Sequence, residues 1–572
     1  MEYSRALVRR SRSLLPRGAV LVPSLLAVLA LMVSLVPPLE AAPPTARGKI
    51  DPALVGRIAA NPAATYDVIV QAQHVTARSD VAQRSQRMAE RVRTVGGTPR
   101  RALGLLGATS ARLSGRAIAA LAAQPDVEYI NEDTTVRLSS TVATDTASIY
   151  AQADRAATAW QTAGVDGTGV AVAVIDSGIA PNPDIASRIL VSVDLTLGTG
   201  LVSAGDPGGH GTHVAGIIAG NGPAIPATLL TPATPGRTGV APNANLISLR
   251  VLDANGAGKL SDVIAALQWA IQHRTQYNIR VINLSLGAPA TTSYLADPLA
   301  AMAEIAWHAG IAVVTAAGNL GPAAGTITTP AYDPFVIAVG AIDDGSTPAP
   351  GDDLVAPFTS VGPSFDGLMK PDLAAPGRRI VSLRVPGSTL DLLLPDRIVD
   401  TNYFRLSGTS QAAPQVAGAA ALLFQRNGSL KPDLVKDILT RSARPVAGAS
   451  VAQVGAGALD ISAALLNATS TAGPNRARVS DAFARMVYPL IKGTQPLIFR
   501  DLSFNGGADS KGVAWSNVTW DNVTWDNVTW DNVSWENVTW DNVTWDNVTW
   551  DSTTWDTGAA WDTTSQLNIL PD

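Results

Sequence analysis

The chain predicts an α/β protein built on a doubly wound, mainly parallel sheet, with a small α+β unit ahead of it and a repeat or disordered tail behind it. Two observations carry that prediction. Ala171 to Ile175 is apolar without interruption and Ile311 to Ala317 nearly so, the pattern of strands buried on both faces. Such runs alternate with helical stretches, Ser261 to His273 and Pro298 to Ala309 among them, and alternation of strand and helix builds parallel sheets.

At 572 residues the chain exceeds one ordinary domain, and an apolar share of 46% is ample for a large core. Zero Cys excludes a disulfide framework, a thiol nucleophile and thiolate metal sites. Taken from the start, Arg9, Arg10, Arg12 and Arg17 precede an apolar stretch from Ala19 to Val36 and the small residues Ala41 and Ala42. That order reads as a signal peptide over 1–42 and a secreted or cell-surface product, with a membrane anchor as the rival reading. Residues 43–142 follow. Within them a strand is expected over Tyr66 to Gln71, a helix over Ser79 to Val95, a strand over Ala108 to Leu113, a helix over Ser114 to Gln124 and a strand over Val127 to Ile130. This unit, with its core at 66–138, holds 13 Lys plus Arg against 8 Asp plus Glu, whereas 143–572 hold 24 against 37. Opposite net charges favour docking of one part on the other.

The larger part, 143–467, carries three segments with chemistry. Asp176 follows the run Ala171 to Ile175, at the carboxyl end of a strand where open α/β sheets hold their working groups. A carboxylate there can accept from one ring nitrogen of His210, in Gly-His210-Gly-Thr-His213, and steady the imidazolium that forms when the other nitrogen takes a proton. Ser410, in Gly-Thr-Ser410-Gln-Ala-Ala-Pro, opens a helix expected to Gln425, whose free N–H groups favour charge developing beside an attacked carbonyl. His210 is then the general base and Ser410 the nucleophile. Pro414 is expected in that helix's first turn, where proline is tolerated.

With these motifs in the order Asp, His, Ser, the chain resembles the subtilisin-like serine proteases from roughly Tyr66 to Leu466. The resemblance implies the subtilisin-like fold, peptide-bond hydrolysis and no cofactor required for chemistry. It makes the 43–142 unit an inhibitory propeptide whose end lies in the active cleft, with a maturation cut expected near Leu138 to Asp145. Asn319, after Ala316, Ala317 and Gly318, inherits the oxyanion-hole donor's role. His213 takes a structural place rather than a metal's. The stretches matching Asn255, Gly256, Ala257 and Gly258, and Ser285, Leu286 and Gly287, would flank an extended substrate. The latter stretch and Thr315 to Gly318 would wall an S1 pocket for uncharged, bulky apolar residues. Asp184 matches a family ligand for structural calcium, although spacing reveals no companions. Two features depart from the family: Gln411 stands where many relatives have Met, and Asn221 to Arg237 is a Pro-, Ala- and Thr-rich insertion.

After an expected domain end near Asn467 and a linker over 468–512, residues 513–572 repeat Asp-Asn-Val-Thr-Trp, with Trp every five residues from Trp515 to Trp555. Five matches neither the helical period nor the strand period, so stacked short strands and a disordered acidic tail both remain open. Either would suit a cell-surface or carbohydrate contact. The expected partners are therefore protein or peptide substrates and the chain's own propeptide, with no nucleic acid. A surface adhesin whose protease fold is a passenger, or serves only self-maturation, is the alternative.

Overall fold

A computed structural model describes residues 46–73, 81–138, 149–196, 201–202, 205–222, 238–468, 477, 479–480 and 483. The expected signal peptide, most of the 221–237 insertion, the maturation region beyond Leu138 and the Trp repeats lie outside the described residues.

The N-terminal unit opens with helix α1 (Pro52–Ala60), whose Asp51 carboxylate accepts from the Ala53 N–H as a cap. Strand β1 (Thr65–Ala72), helix α2 (Val81–Thr94), strands β2 (Thr98–Leu103) and β3 (Ala108–Ser114), helix α3 (Gly115–Ala122) and strand β4 (Val127–Glu132) follow. The four strands form one sheet in the order β2-β3-β1-β4. Alternation along β1 gives that sheet two different faces. Val68 and Val70 pack with Leu54, Met88, Val92, Ile118 and Leu121 in the unit's own core, while Ile69 joins Leu103, Leu105 and Ala108 in the core of the larger part. Helix α1 and strand β2 escaped the sequence reading. Strand β2 carries Pro99, Arg100 and Arg101 and so lacks an apolar run.

Beyond β5 (Thr135–Leu138), the larger part is organised by β6 (Ala171–Asp176), in which all six residues are buried. Its sheet continues through β7 (Ile189–Asp194), β8 (Leu201–Val202) and β9 (Asn245–Arg250), with helix α4 (His210–Ala219) between β8 and β9. After β10 (Ala257–Lys259) come helix α5 (Leu260–Gln272), β11 (Ile279–Leu284), β12 (Leu286–Pro289), helix α6 (Pro298–His308), β13 (Ala312–Ala316) and β14 (Thr328–Thr329). β15 (Ile337–Asp343), β16 (Leu354–Val355), β17 (Leu373–Pro376), β18 (Ile380–Leu383), β19 (Tyr403–Leu406) and the 18-residue helix α7 (Thr409–Arg426) complete the parts that position the site. The central sheet runs β16-β15-β13-β11-β6-β9-β7-β8, with β17 also beside β15. Its pairs are parallel except β7 with β8 and β15 with β16. Helices α4 and α7 pack on each other, as do α5 and α6, and α7 lies along β11, β13 and β15. The doubly wound, mainly parallel sheet expected from the sequence is the fold.

Two expectations need correction. Pro414 is the sixth residue of α7, in its second turn rather than its first. Its missing N–H leaves the Ser410 carbonyl without the usual helical donor, and the Ser285 hydroxyl donates to that carbonyl at 2.8 Å. The boundary at Asn467 also falls short. In the stretch read as a linker, Val479, Ser480 and Phe483 are buried, and the Ser480 N–H donates to Glu304 Oε1 of α6 at 2.8 Å. Apolar burial of Phe483 beside the His308 ring, centroids 4.7 Å apart, holds that stretch to the domain.

Candidate active site

Strand β6 ends at Asp176 because the next residues turn, and the turn is tied by hydrogen bonds. The Ser177 N–H donates to Asp176 Oδ1 at 2.7 Å, and the Ser177 hydroxyl donates to Asp206 Oδ1 at 2.7 Å. Asp206 also accepts from the N–H groups of Gly209 and Thr212 and from the Thr212 hydroxyl, so one buried carboxylate shapes the whole entry to α4. Burial pushes its carboxyl above the ordinary range, and these four donors oppose that push. Nothing in the Gly-Asp-Pro setting of Asp206 marked it in the sequence. Gly211 permits the close approach of α4 to this turn, since a Cβ there would stand 2.1 Å from the Gly178 carbonyl oxygen.

His210, the first residue of α4, meets Asp176 through Nδ1, 2.9 Å from Oδ1 and 3.0 Å from Oδ2. Both side chains are fully buried. The carboxylate can only accept, so Nδ1 carries the proton and Nε2 presents its lone pair. That lone pair faces the Gln411 amide, 3.3 Å away. His213, one turn on, is held differently. Its Nε2 donates to the Phe404 carbonyl at 3.1 Å, and burial pushes its pKa down to about 3, so it stands as a neutral core histidine.

Ser410 lies in the first turn of α7, entered through Gly408 at φ +155°, a conformation that favours glycine. Its hydroxyl donates to the Ser285 carbonyl at 2.8 Å. Beside it, β13 delivers Asn319 through Ala317 and Gly318. Asn319 Oδ1 accepts from Thr409 N–H at 2.9 Å and from Thr409 Oγ1 at 2.8 Å, and the Gly318 N–H donates to that same hydroxyl at 3.2 Å. Two donors on Oδ1 settle which way the amide faces. Its Nδ2 is buried with no partner. A buried, unpaired donor costs about 1–3 kcal/mol, so one held in a fixed direction suits an oxygen that arrives during a reaction. Thr409, which the sequence reading passed over, sets this geometry.

The stretches expected to flank a substrate do flank a strand. β5 lies between β10 and β12 in a sheet ordered β10-β5-β12-β14, antiparallel to both neighbours. Val136 faces Gly258, Arg137 faces both Ala257 and Gly287, and Leu138 faces Leu286. Gly256, which precedes β10, sits in its turn at φ +70°. Ala316, Ala317 and Gly318 approach from β13, and Thr328 of β14 lies against both glycines: a Cβ on Gly287 or Gly318 would fall 2.7 Å from its side chain.

The N-terminal unit reaches the larger part through charged and polar groups as well. Arg101 pairs with Asp262 at 2.9 Å, both nearly buried, and Asp67 pairs with Lys259 at 3.2 Å. Helix α5 has no side-chain cap of its own. Asp133 supplies one, accepting from Ser261 N–H at 2.9 Å and from its hydroxyl at 2.8 Å.

Asp184 is engaged by two neighbours. Its Oδ2 accepts from the Tyr403 hydroxyl at 2.5 Å and its carbonyl accepts from the Arg188 guanidinium. Among the described residues no group of three or more acidic or histidine side chains could hold a metal ion.

A doubly wound sheet with a buried carboxylate–imidazole pair at one strand end and a serine at a helix start defines a class, the subtilisin-like serine proteases. Residues 167–478 match the Subtilase family, and the chain belongs to that family. It is 43% identical over 278 residues to serine protease AprX of Bacillus subtilis (strain 168), covering 48% of this chain and 61% of AprX. It is 35% identical to an alkaline protease of Alkalihalobacillus alcalophilus over 58% of this chain and 73% of that one. With Subtilisin Savinase of Lederbergia lenta the identity is 36% over 49% of this chain and 85% of the relative. Fervidolysin from Fervidobacterium pennivorans, a keratinolytic enzyme related to subtilisin, shares the fold at a TM-score of 0.55 and 24% identity, over 72% of this chain and 62% of that one. The family's chemistry calls for no cofactor.

Proposed function

We propose that the chain is a secreted serine endopeptidase that cleaves peptide bonds through an acyl-enzyme on Ser410 and is made as an autoprocessed zymogen. Ser410 Oγ attacks the scissile carbonyl carbon while its proton passes to His210 Nε2, and Asp176 accepts from Nδ1 of the imidazolium that results. The carbonyl oxygen, now negative, accepts from Asn319 Nδ2 beside the N–H groups that open α7. The C–N bond then breaks as His210 returns the proton to the leaving amine. Water, deprotonated by the same imidazole, releases the acid and restores the hydroxyl.

What carries this reading is the chain's own segment Thr135–Leu138, held extended between β10 and β12 as a peptide substrate would be. Residues 43–142 then act as inhibitory propeptide, and cleavage after that strand frees the groove. Small walls at Ala316, Ala317, Gly318 and Gly287 and the uncharged Thr328 support uncharged, bulky apolar side chains at P1. The basic run and apolar stretch at the N-terminus support export, and the Trp repeats support contact with a cell surface or carbohydrate.

Expression of the full chain and of Ser410→Ala tests the proposal. The parent should shorten itself and hydrolyse casein, and Ser410→Ala should stay full-length and inert. Casein hydrolysis by Ser410→Ala would refute the mechanism, and a cleavage profile dominated by Arg or Lys at P1 would refute the pocket assignment. An inert but cell-retained parent, released when 513–572 are deleted, would favour the adhesin.

A further inference from the structure

We propose that Gln411 is a positioning residue that occupies the lone pair of His210 Nε2 in the resting protein, so that Ser410 becomes reactive only when this amide gives way. The inference rests on the serine-peptidase reading above and adds a residue to it.

Its basis is the pairing of groups around the base. With the Nδ1 proton committed to Asp176, His210 Nε2 can only accept, and the group at 3.3 Å is the Gln411 amide nitrogen. The hydroxyl that should occupy this lone pair points elsewhere, donating to the Ser285 carbonyl at 2.8 Å. Both halves of the expected nucleophile–base contact are therefore engaged with other partners. Gln411 is fully buried, and its Oε1 has no partner, so the imidazole is what its side-chain amide meets. Its main chain is also fixed. The Gln411 carbonyl accepts from Gln415 Nε2 at 2.9 Å, and that same nitrogen donates to the Pro376 carbonyl at 2.5 Å. The main chain that carries this side chain is thus tied on the side facing Pro376, and the side-chain amide lies 3.3 Å from the ring.

Attack then requires an exchange: the Ser410 hydroxyl leaves the Ser285 carbonyl and displaces the Gln411 N–H from Nε2. A Met or Leu at 411 fills similar space, offers no donor and leaves the lone pair open to the hydroxyl. One hydrogen bond removed from the resting state corresponds to a rate gain of about two- to tenfold.

The test uses the self-processed protein obtained by expressing the full chain, as wild type, Gln411→Met and Gln411→Leu, with thermal midpoints recorded for each. An arylsulfonyl fluoride serves as probe: the Ser410 Oγ–S bond forms, the S–F bond breaks, the hydroxyl proton passes to His210 and fluoride departs. Both variants should be inactivated about two- to tenfold faster than wild type, with kcat for a peptide raised and KM within about twofold. In the uncleaved Ser410→Ala chain, the 15N resonance of His210 Nε2 should move when Gln411→Met is added, because the accepted hydrogen bond is lost. Equal or slower inactivation at matched thermal midpoints would overturn the proposal, and so would an unmoved 15N resonance, which can be read even where a processed variant is unstable. Incorporation of the reagent by Ser410→Ala would instead overturn the peptidase reading itself.

Discussion

Replacing Thr409 by Val isolates the support behind the oxyanion donor. The two side chains are close in shape, so the change sets a methyl where the hydroxyl stood and removes both of its hydrogen bonds. That hydroxyl donates to Asn319 Oδ1 at 2.8 Å and accepts from Gly318 N–H at 3.2 Å, while the Thr409 N–H continues to hold Oδ1 at 2.9 Å. Two consequences separate cleanly. The buried Gly318 N–H loses its acceptor, which together with the lost bond lowers stability by about 2–3 kcal/mol. The Asn319 amide keeps one anchor of two and can turn Nδ2 away from the developing oxyanion, costing about tenfold in kcat, roughly 1.4 kcal/mol, at unchanged KM. Initial rates on a peptide p-nitroanilide after self-processing, with urea unfolding of the uncleaved Ser410→Ala chain carrying the same change, measure both effects. A variant less stable by this amount yet with kcat within about twofold of the parent would refute the claim that Thr409 aims the amide.

Asn319→Leu removes the donor itself, and kcat should fall by about 10²–10³ with a small change in KM; that magnitude was established on subtilisin, a member of this family. Gln411 offers no thioether, so activity should survive dilute peroxide that converts Met to its sulfoxide, and rapid loss without unfolding would contradict this. Asp154 is fully buried, and desolvation pushes its pKa up to about 8 from 3.8. Between those values the folded chain holds a proton that the unfolded chain releases. Stability is therefore greatest at the acid end of that window and falls by about 1.4 kcal/mol per unit as pH rises towards 8. Asp154→Asn should flatten the fall, as read from urea midpoints at pH 5, 7 and 9.

Much of the site was legible before the fold. Asp176, His210 and Ser410 stand in motifs whose small neighbours and strand or helix settings are local, and the apolar runs that became β6 and β13 announce themselves by composition alone. Local pattern could not reveal Thr409 as the anchor of Asn319, Asp206 as the clasp of the α4 entry or Asp133 as the cap of α5, because each acts on groups that the chain brings close only by folding. Helix α7 begins at Thr409, one residue earlier than its motif suggested, and Pro414 lies in its second turn, where the missing N–H leaves the Ser410 carbonyl to the Ser285 hydroxyl. Buried polar groups must find partners wherever they lie in the chain, so the residue types and their order decided which chemistry is carried. Which atoms meet was decided by the packing of helices on an open, twisted sheet, since hydrogen bonds act over about 3 Å while the residues that make them stand up to 305 positions apart.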